Sequence, residues 1–109
     1  MTETVEFVDA ATLHAWLESG EAVVVDVRED GEYVQAHIDG ALLNPMSRFD
    51  PGAVAAAPGQ KVVVHCQRGV RCEPTSARLI GAGHQDVYRL SGGLLAWVEA
   101  GLPVETGAA

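Results

Sequence analysis

The segment Cys66-Gln-Arg-Gly-Val-Arg71 carries the residue types that a nucleophilic cysteine needs around it. It follows an apolar run that ends at His65, so we expect a short loop between a buried strand and the start of a helix. Main-chain N–H groups in such a loop, the helix dipole and two arginines all favour a thiolate over a thiol. Gly69 permits the positive φ that a tight turn requires. The segment predicts a cysteine nucleophile that acts on an anionic substrate; a small, inert cysteine at a strand end is the alternative.

The chain has few cysteines and histidines that could bind a metal ion or form disulfides. The chain has two cysteines, Cys66 and Cys72, which are too few for a disulfide framework or a four-ligand zinc site. The four histidines are scattered, and neither an H-x-x-x-H nor a C-x-x-C pair occurs. We therefore expect no metal ion and no other cofactor. In a reducing compartment, two such cysteines are more often catalytic or simply buried than bridged.

Short apolar runs alternate with helical patterns, which predicts an α/β fold with a parallel sheet and helices on both faces. Strands are predicted at residues 5–8, 22–26, 41–43, 61–65 and 86–90. Helices are predicted at residues 10–18, 29–36, 47–57, 73–82 and 94–100, with Pro51 interrupting the third. Asp9 should cap the first helix and Gly20 should end it. Ligands in such folds lie beyond the carboxyl ends of the strands, which places Asp26-Val-Arg28 and the Cys66 segment at one functional edge.

Two further features bear on how the Cys66 loop is held. Gly92 and Gly93 separate the last strand from the last helix, and we expect them to let that turn approach the loop closely. His37 and His65 fall near the same edge, where we expect hydrogen-bonded structural residues rather than bases.

Length and charge restrict the class of protein and its partners. The 109 residues fit one domain, 1–109, whose end from residue 102 onward should be partly frayed. Apolar residues make up 48% and charged residues 20%, which argues against general disorder. The net charge of −8 repels nucleic acid and anionic membranes. Because the first residues are acidic and no apolar run is long, we expect a cytoplasmic protein.

Four stretches follow one another in an order that is typical of a known family. They are Asp26-Val-Arg-Glu29 continued by Glu32-Tyr33, His37-Ile38 and Gly40-Ala41; the Cys66 loop; Leu90-Ser-Gly-Gly-Leu-Leu-Ala-Trp97; and Ala100-Gly-Leu-Pro-Val104. The chain resembles single-domain rhodanese-like sulfurtransferases over nearly its whole length. The resemblance implies a rhodanese-like fold with a five-stranded parallel central sheet and helices on both faces.

The resemblance also implies a reaction and its partners. Cys66 would attack the outer sulfur of a small anionic donor such as thiosulfate, expel sulfite and hold the sulfur as a persulfide. A thiol or cyanide would then accept the sulfur, which makes the protein a thiosulfate sulfurtransferase-like enzyme without a cofactor. A protein that accepts the sulfur is a variant of the same reaction.

Site residues follow from the resemblance, position by position. Substrate binding would fall to the loop residues Gln67, Arg68, Gly69, Val70 and Arg71. Their main-chain N–H groups would stabilise the thiolate and the persulfide, Arg68 would bind the donor's sulfonate, and Arg71 matches the family's loop-closing arginine. Supporting positions would be Asp26, Arg28, Glu32 and Cys72, with Arg28 and Glu32 forming an ion pair beside the loop.

Cys72 stands where the family typically has a serine at the helix entry. It is either a small, imperfect helix cap or a resolving thiol, and the sequence leaves both open. We expect the loop to hold the sulfur of Cys72 beyond bridging distance of Cys66. We also expect the helix terminus to lower the pKa of an exposed Cys72 thiol and make it prone to oxidation.

Two other functions compete with sulfur transfer. His65-Cys66 resembles the start of the H-C-x-x-x-x-x-R signature of phosphatases and arsenate reductases, but that signature needs arginine at position 72, where this chain has cysteine. A persulfide-carrying or sensing module without strong turnover is the second alternative.

Overall fold

The computed structural model describes residues 6–68 and 72–107, and within them a five-stranded sheet has the order β1-β5-β4-β2-β3 with every pairing parallel. Its strands are β1 (Glu6–Val8), β2 (Ala22–Asp26), β3 (Leu42–Leu43), β4 (Lys61–His65) and β5 (Val87–Leu90). The predicted α/β architecture is confirmed.

The central strands β2 and β4 are buried on both faces, as their unbroken valine runs predict. Val24 pairs with Val63, and Asp26 pairs with His65 at the carboxyl ends of the two strands. The main chain continues the pairing one step further, because Val27 N donates to His65 O at 3.0 Å. Asp26 and Cys66 therefore lie close together at one edge of the sheet, where β2 and β4 end.

Four α-helices in the described residues cover the two faces of the sheet: α1 (Ala10–Ser19), α2 (Asp30–Gln35), α3 (Cys72–Gly81) and α4 (Gly93–Glu99). One buried cluster joins α1, α2 and α4 to the sheet through residues such as Leu13, Tyr33 and Trp97. The other joins α3 to the opposite face and contains both cysteines. None of these helices is long and apolar enough to cross a membrane.

Local capping explains where α1 begins and ends. The Asp9 side chain accepts a hydrogen bond from Thr12 N at 2.8 Å. Hydrogen bonds from the side chain and then the main chain of Thr12 hold the pKa of the Asp9 carboxyl below its usual value. Gly20 ends the helix with φ of 77°, a left-handed conformation that glycine adopts without strain. Both predictions are confirmed.

The helix predicted over residues 47–57 is wrong. Two short 3₁₀ turns, Met46–Arg48 and Pro51–Ala53, occupy this region instead. Pro51 has no N–H group to continue a helix, and the Asp50 side chain accepts from Gly52 N at 3.0 Å to start a separate turn. The Asn44 side chain holds the break by donating to Asp50 O at 2.8 Å and accepting from Asp50 N at 3.0 Å.

The segment after α4 is hydrogen-bonded to the rest of the domain. Trp97 Nε1 donates to Pro103 O at 2.8 Å, and the main chains of His37 and Glu105 exchange hydrogen bonds of 2.9 and 2.7 Å. Gly107 N donates to Val34 O at 2.8 Å. These contacts secure the chain as far as Gly107, and the expected fraying at the end of the segment from residue 102 onward stays a prediction.

Candidate functional site

A buried ion pair lies directly beneath the start of the Cys66 loop. Asp26 and Arg28 are 0% and 2% exposed, and Arg28 Nη2 lies 2.8 Å from Asp26 Oδ2. Arg28 Nε and the Arg28 main-chain N–H also donate to Asp26 Oδ1, at 3.0 and 2.9 Å. This much hydrogen bonding is what allows two charges to be buried together.

The same guanidinium reaches the loop that Cys66 opens. Arg28 Nη1 donates to Gln67 Oε1 at 3.1 Å, and Nη2 donates to the main-chain oxygen of Ala36 at 2.6 Å. The end of β2, the end of α2 and the loop are thereby fixed to one planar group. Arg28 therefore contacts Gln67, the residue that follows Cys66, and its supporting role stays a prediction.

The carboxylate that pairs with Arg28 is Asp26, not Glu32 as predicted. Arg28 precedes α2, so the spacing that brings residues i and i+4 together on a helix does not apply to it. Glu32 lies in the first turn of α2, where its Oε1 accepts from Glu29 N at 3.1 Å and completes a capping box.

His65 ends β4 and is fully buried beside this pair. Its Nδ1 lies 3.1 Å from Cys66 O, and because a carbonyl only accepts, Nδ1 carries the hydrogen. Its Nε2 lies 3.5 Å from Asp26 Oδ2 without a hydrogen-bond partner. Burial lowers the pKa of His65, against the opposing attraction of Asp26, so the imidazole is neutral at pH 7.

A neutral, buried His65 predicts a specific loss of stability in acid. The unfolded chain takes up a proton near the ordinary pKa of 6.5, whereas the folded chain resists it, so the free energy of unfolding falls as pH drops below that value. One such group contributes at most about 1.4 kcal/mol per pH unit. His65→Gln should remove this slope in urea unfolding measured against pH, with the same change at half-exposed His14 as the matched control. An equal slope in wild type and His65→Gln would contradict the prediction.

The start of α4 holds the main chain of the Cys66 loop from the other side. Leu94 N donates to Cys66 O at 2.8 Å, and Leu95 N donates to Gln67 O at 3.1 Å. A Cβ atom at Gly93 would lie 2.6 Å from Cys66 O and 2.7 Å from the carbonyl carbon of Gln67. The predicted close approach is confirmed for Gly93, whereas a Cβ at Gly92 would meet Ala96 instead.

Both cysteines are buried in the cluster between α3 and the sheet, each with an exposure of 0%. A side-chain hydrogen bond links Cys72 to Cys66, and Cys72 Sγ also lies 3.6 Å from Val64 O. The hydrogen bond to Cys66 and burial raise the pKa of the Cys72 thiol.

One expectation for Cys72 is therefore wrong. The Cys72 thiol is neither exposed nor acidified, because it is buried and hydrogen-bonded to Cys66. That the loop holds the two cysteines outside disulfide-bridging geometry stays a prediction.

The remaining loop residues divide into two groups. Arg68 is exposed just beyond Gln67. Gly69, Val70 and Arg71 lie outside the described residues, so the predicted curl of their N–H groups stays a prediction. Among the described residues, no group of three or more His, Cys, Asp or Glu side chains could hold a metal ion.

Residues 9–100 of the chain match the sequence model of the rhodanese-like domain family. The chain belongs to the rhodanese-like domain family. An uncharacterised protein of Synechocystis sp. is 37% identical over 102 residues, which are 94% of this chain and 57% of that protein. A tRNA uridine(34) hydroxylase of Erwinia tasmaniensis is 37% identical over 108 residues, 90% of this chain and 31% of the hydroxylase. The chain therefore spans well under two thirds of the length of these curated relatives.

Solved structures agree with the family. The crystal structure of a thiosulfate sulfurtransferase from Pseudomonas aeruginosa has a TM-score of 0.83 and 26% identity to this chain, covering 100% of this chain and 21% of that one. The structural neighbours of this rhodanese-like domain thus include sulfurtransferases.

A groove of about 350 Å³ lies beside the loop of this rhodanese-like domain, between α2 and α4. Its lining residues come from the loop, from α4, from α2 and its end, and from the turn before α2: Gln67, Leu94, Glu32, Gln35, Ala36 and Arg28. Sequence reasoning missed Gln35, Ala36 and Leu94. Only Leu94 carried a signal, because it directly follows the glycine pair that was expected to approach the loop.

Proposed function

We propose that this rhodanese-like domain is a sulfurtransferase that moves sulfane sulfur from a donor such as thiosulfate to a thiol or cyanide through a persulfide on Cys66. The observation that carries the proposal is the fixed main chain at Cys66. Its carbonyl accepts from Leu94 N and lies against His65, and the adjoining Gln67 is held by buried Arg28. A nucleophile held this firmly is oriented before the donor arrives.

The reaction proceeds in two displacements. The Cys66 thiolate attacks the outer sulfur of thiosulfate, the sulfur–sulfur bond of the donor breaks, and sulfite leaves with the electron pair. The acceptor thiolate or cyanide then attacks the sulfane sulfur, and the bond to Cys66 Sγ breaks to regenerate the thiolate. Both steps need a nucleophile and an anion site, and neither step requires a metal or cofactor.

Arg68 is the exposed cation that supports an anionic donor. It lies next to Gln67, where it could contact the sulfonate of the donor in both the ground state and the transition state. Arg68→Ala should therefore raise the KM for thiosulfate about tenfold and change kcat little. Steady-state kinetics against thiosulfate would measure this. Arg78→Ala, which removes the same charge from the exposed side of α3, is the matched control. An unchanged KM in Arg68→Ala would remove this residue from the donor site.

A persulfide-carrying or sensing module is the second candidate, and the full burial of Cys66 favours it. A buried sulfur suits storage of one sulfur atom, with release to a partner that opens the site. Phosphatase or arsenate reductase activity has less support, because position 72 holds a buried cysteine where those enzymes need an arginine that binds the phosphoryl group.

The partners that we propose are small sulfur compounds, with a protein acceptor as the variant, in a cytoplasmic setting. The net charge of −8 opposes nucleic acid as a partner. The hydroxylase activity named for the Erwinia relative belongs to a protein of which this chain matches 31%.

Thiocyanate formation from thiosulfate and cyanide by the purified protein tests the proposal. Continuous turnover supports the sulfurtransferase. A single turnover per Cys66, followed by none, supports the carrier module. Hydrolysis of an aryl phosphate without thiocyanate formation would overturn both.

A further inference from the structure

The side chain of Gln67, the residue after Cys66, is held in one orientation. Arg28 Nη1 donates to Gln67 Oε1 at 3.1 Å, and because a guanidinium only donates, the atom that faces Arg28 is the carboxamide oxygen. Leu95 N fixes the main chain of the same residue by donating to Gln67 O at 3.1 Å. Gln67 is half-buried, and it is anchored through both its main chain and its side chain. It is therefore a preorganised hydrogen-bonding group rather than a solvated surface residue.

The nitrogen of that carboxamide carries donors that the protein does not use. Gln67 Nε2 has two N–H groups, and neither donates to any residue that the structure describes. The positive charge of Arg28 polarises the carboxamide and strengthens these donors. Both residues line the groove of about 350 Å³ beside the loop. The groove therefore offers, at the residue next to Cys66, an oriented donor group that suits a carboxylate on a ligand.

The other charges of the groove restrict the ligand further. Arg28 contributes little net positive charge, because its Nη2 lies 2.8 Å from Asp26 Oδ2. Glu32 also lines the groove, and its carboxylate repels a ligand that brings only negative charge. A ligand with an ammonium group beside its carboxylate has no net charge and avoids this repulsion. The groove thus suits the zwitterion of an α-amino acid.

We propose that this groove is the acceptor site, that it takes a small thiol built on an α-amino acid, and that Gln67 Nε2 binds the carboxylate of that acceptor. The inference rests on the proposed function in taking a persulfide on Cys66 as the species that the acceptor attacks. Thiosulfate is much smaller than the groove, which favours the acceptor over the donor as its occupant. Since the Cα atoms of consecutive residues lie about 3.8 Å apart, a carboxylate held by Gln67 keeps the thiol of a short acceptor near Cys66.

The transfer to this acceptor is the second displacement of the reaction. The acceptor enters as a thiolate, having lost its proton to solvent, and attacks the outer sulfur of the Cys66 persulfide. A sulfur–sulfur bond forms to the acceptor, the bond to Cys66 Sγ breaks, and its electron pair stays on Sγ. The acceptor leaves as a persulfide, and no oxidant or reductant is consumed. Because the carboxylate keeps its charge throughout, its contact with Gln67 contributes equally to the ground state and the transition state.

Acceptor kinetics with cysteine and cysteamine test this inference, because both thiols carry an ammonium group and only cysteine carries a carboxylate. At saturating thiosulfate, with sulfite release as the readout, Gln67→Leu should raise the KM for cysteine about tenfold, leave the KM for cysteamine unchanged and alter kcat little. Gln67→Glu keeps an oxygen for Arg28 but replaces the donors by a carboxylate, so it should raise the KM for cysteine at least as much. Gln85→Leu, at an exposed glutamine before β5, is the matched control.

A binding measurement separates this inference from the proposed function. S-methylcysteine has no thiol, so it can occupy the groove without reacting. In NMR spectra of nitrogen-labelled protein, its titration should shift the side-chain amide signal of Gln67, which is assigned by its absence from Gln67→Leu. S-methylcysteamine, which lacks the carboxylate, should leave that signal in place. A saturable shift in a protein that forms no thiocyanate would retain the amino-acid site while the proposed function fails.

Three results would overturn the carboxylate site. The first is a Gln67 amide signal that S-methylcysteine does not move. The second is an equal rise, or no rise, in the KM values for cysteine and cysteamine in Gln67→Leu. The third is a rise confined to the KM for thiosulfate, which would assign the donors of Gln67 to the sulfonate instead.

Discussion

Cys66→Ser should form no thiocyanate from thiosulfate and cyanide. A serine hydroxyl stays protonated near neutral pH and is a far weaker nucleophile than a thiolate, and a sulfur–oxygen adduct would not replace the persulfide. Because serine is close in size to cysteine, the fold should persist despite the burial of the site. We expect a loss of at least a thousandfold in turnover, comparable to removing a covalent nucleophile from other enzymes.

The far-UV circular dichroism and the urea midpoint of Cys66→Ser provide the control for folding. Arg78→Ala, an exposed substitution on α3, provides the control for the assay. Residual thiocyanate formation within tenfold of wild type would remove Cys66 from the reaction.

Gly93→Ala should destabilise the protein and disable the site together. The added Cβ would lie 2.6 Å from Cys66 O, and φ at this residue is +63°, a conformation that disfavours any side chain. The strained left-handed conformation and the collision with main-chain atoms should together lower the free energy of unfolding by on the order of 3 kcal/mol. Since the displaced atoms belong to Cys66 and Gln67, the rate of sulfur transfer should fall at least tenfold even where the protein remains folded.

Gly20→Ala is the matched control for Gly93→Ala. Gly20 has φ of +77°, but a Cβ there would meet nothing within 4 Å. The free energy of unfolding of Gly20→Ala should therefore fall by only about 1 kcal/mol, from the backbone conformation alone. Its turnover should be unchanged. Urea unfolding and thiocyanate assays of both variants measure the difference. Equal stability and activity in the two variants would contradict the close approach of α4 to the loop.

The strands, the helix ends and the position of Cys66 were predictable from the sequence because their causes are local. Valine runs at 22–26 and 61–65 specify strands that are buried on both faces, and Asp9 and Gly20 mark the ends of α1 by their own side-chain and backbone chemistry. The strand that ends at His65 then puts Cys66 at the carboxyl edge of the sheet.

Side-chain partners in the site were not predictable, because tertiary packing decides them. The sequence offered Glu32 as the partner of Arg28, whereas in the folded chain its guanidinium pairs with Asp26 and also contacts Gln67 and Ala36. The state of Cys72 depends on how α3 packs against the sheet, and nothing in the spacing of the two cysteines indicates that their side chains meet.

Mass spectrometry of the intact protein tests the central claim most directly. Treatment with thiosulfate should add the mass of one sulfur atom, peptide mapping should place it on Cys66, and cyanide should then remove it with release of thiocyanate. Arg68→Ala should reach the same final mass at higher thiosulfate concentration. No gain in mass, or a sulfur mapped to Cys72, would contradict a persulfide on Cys66.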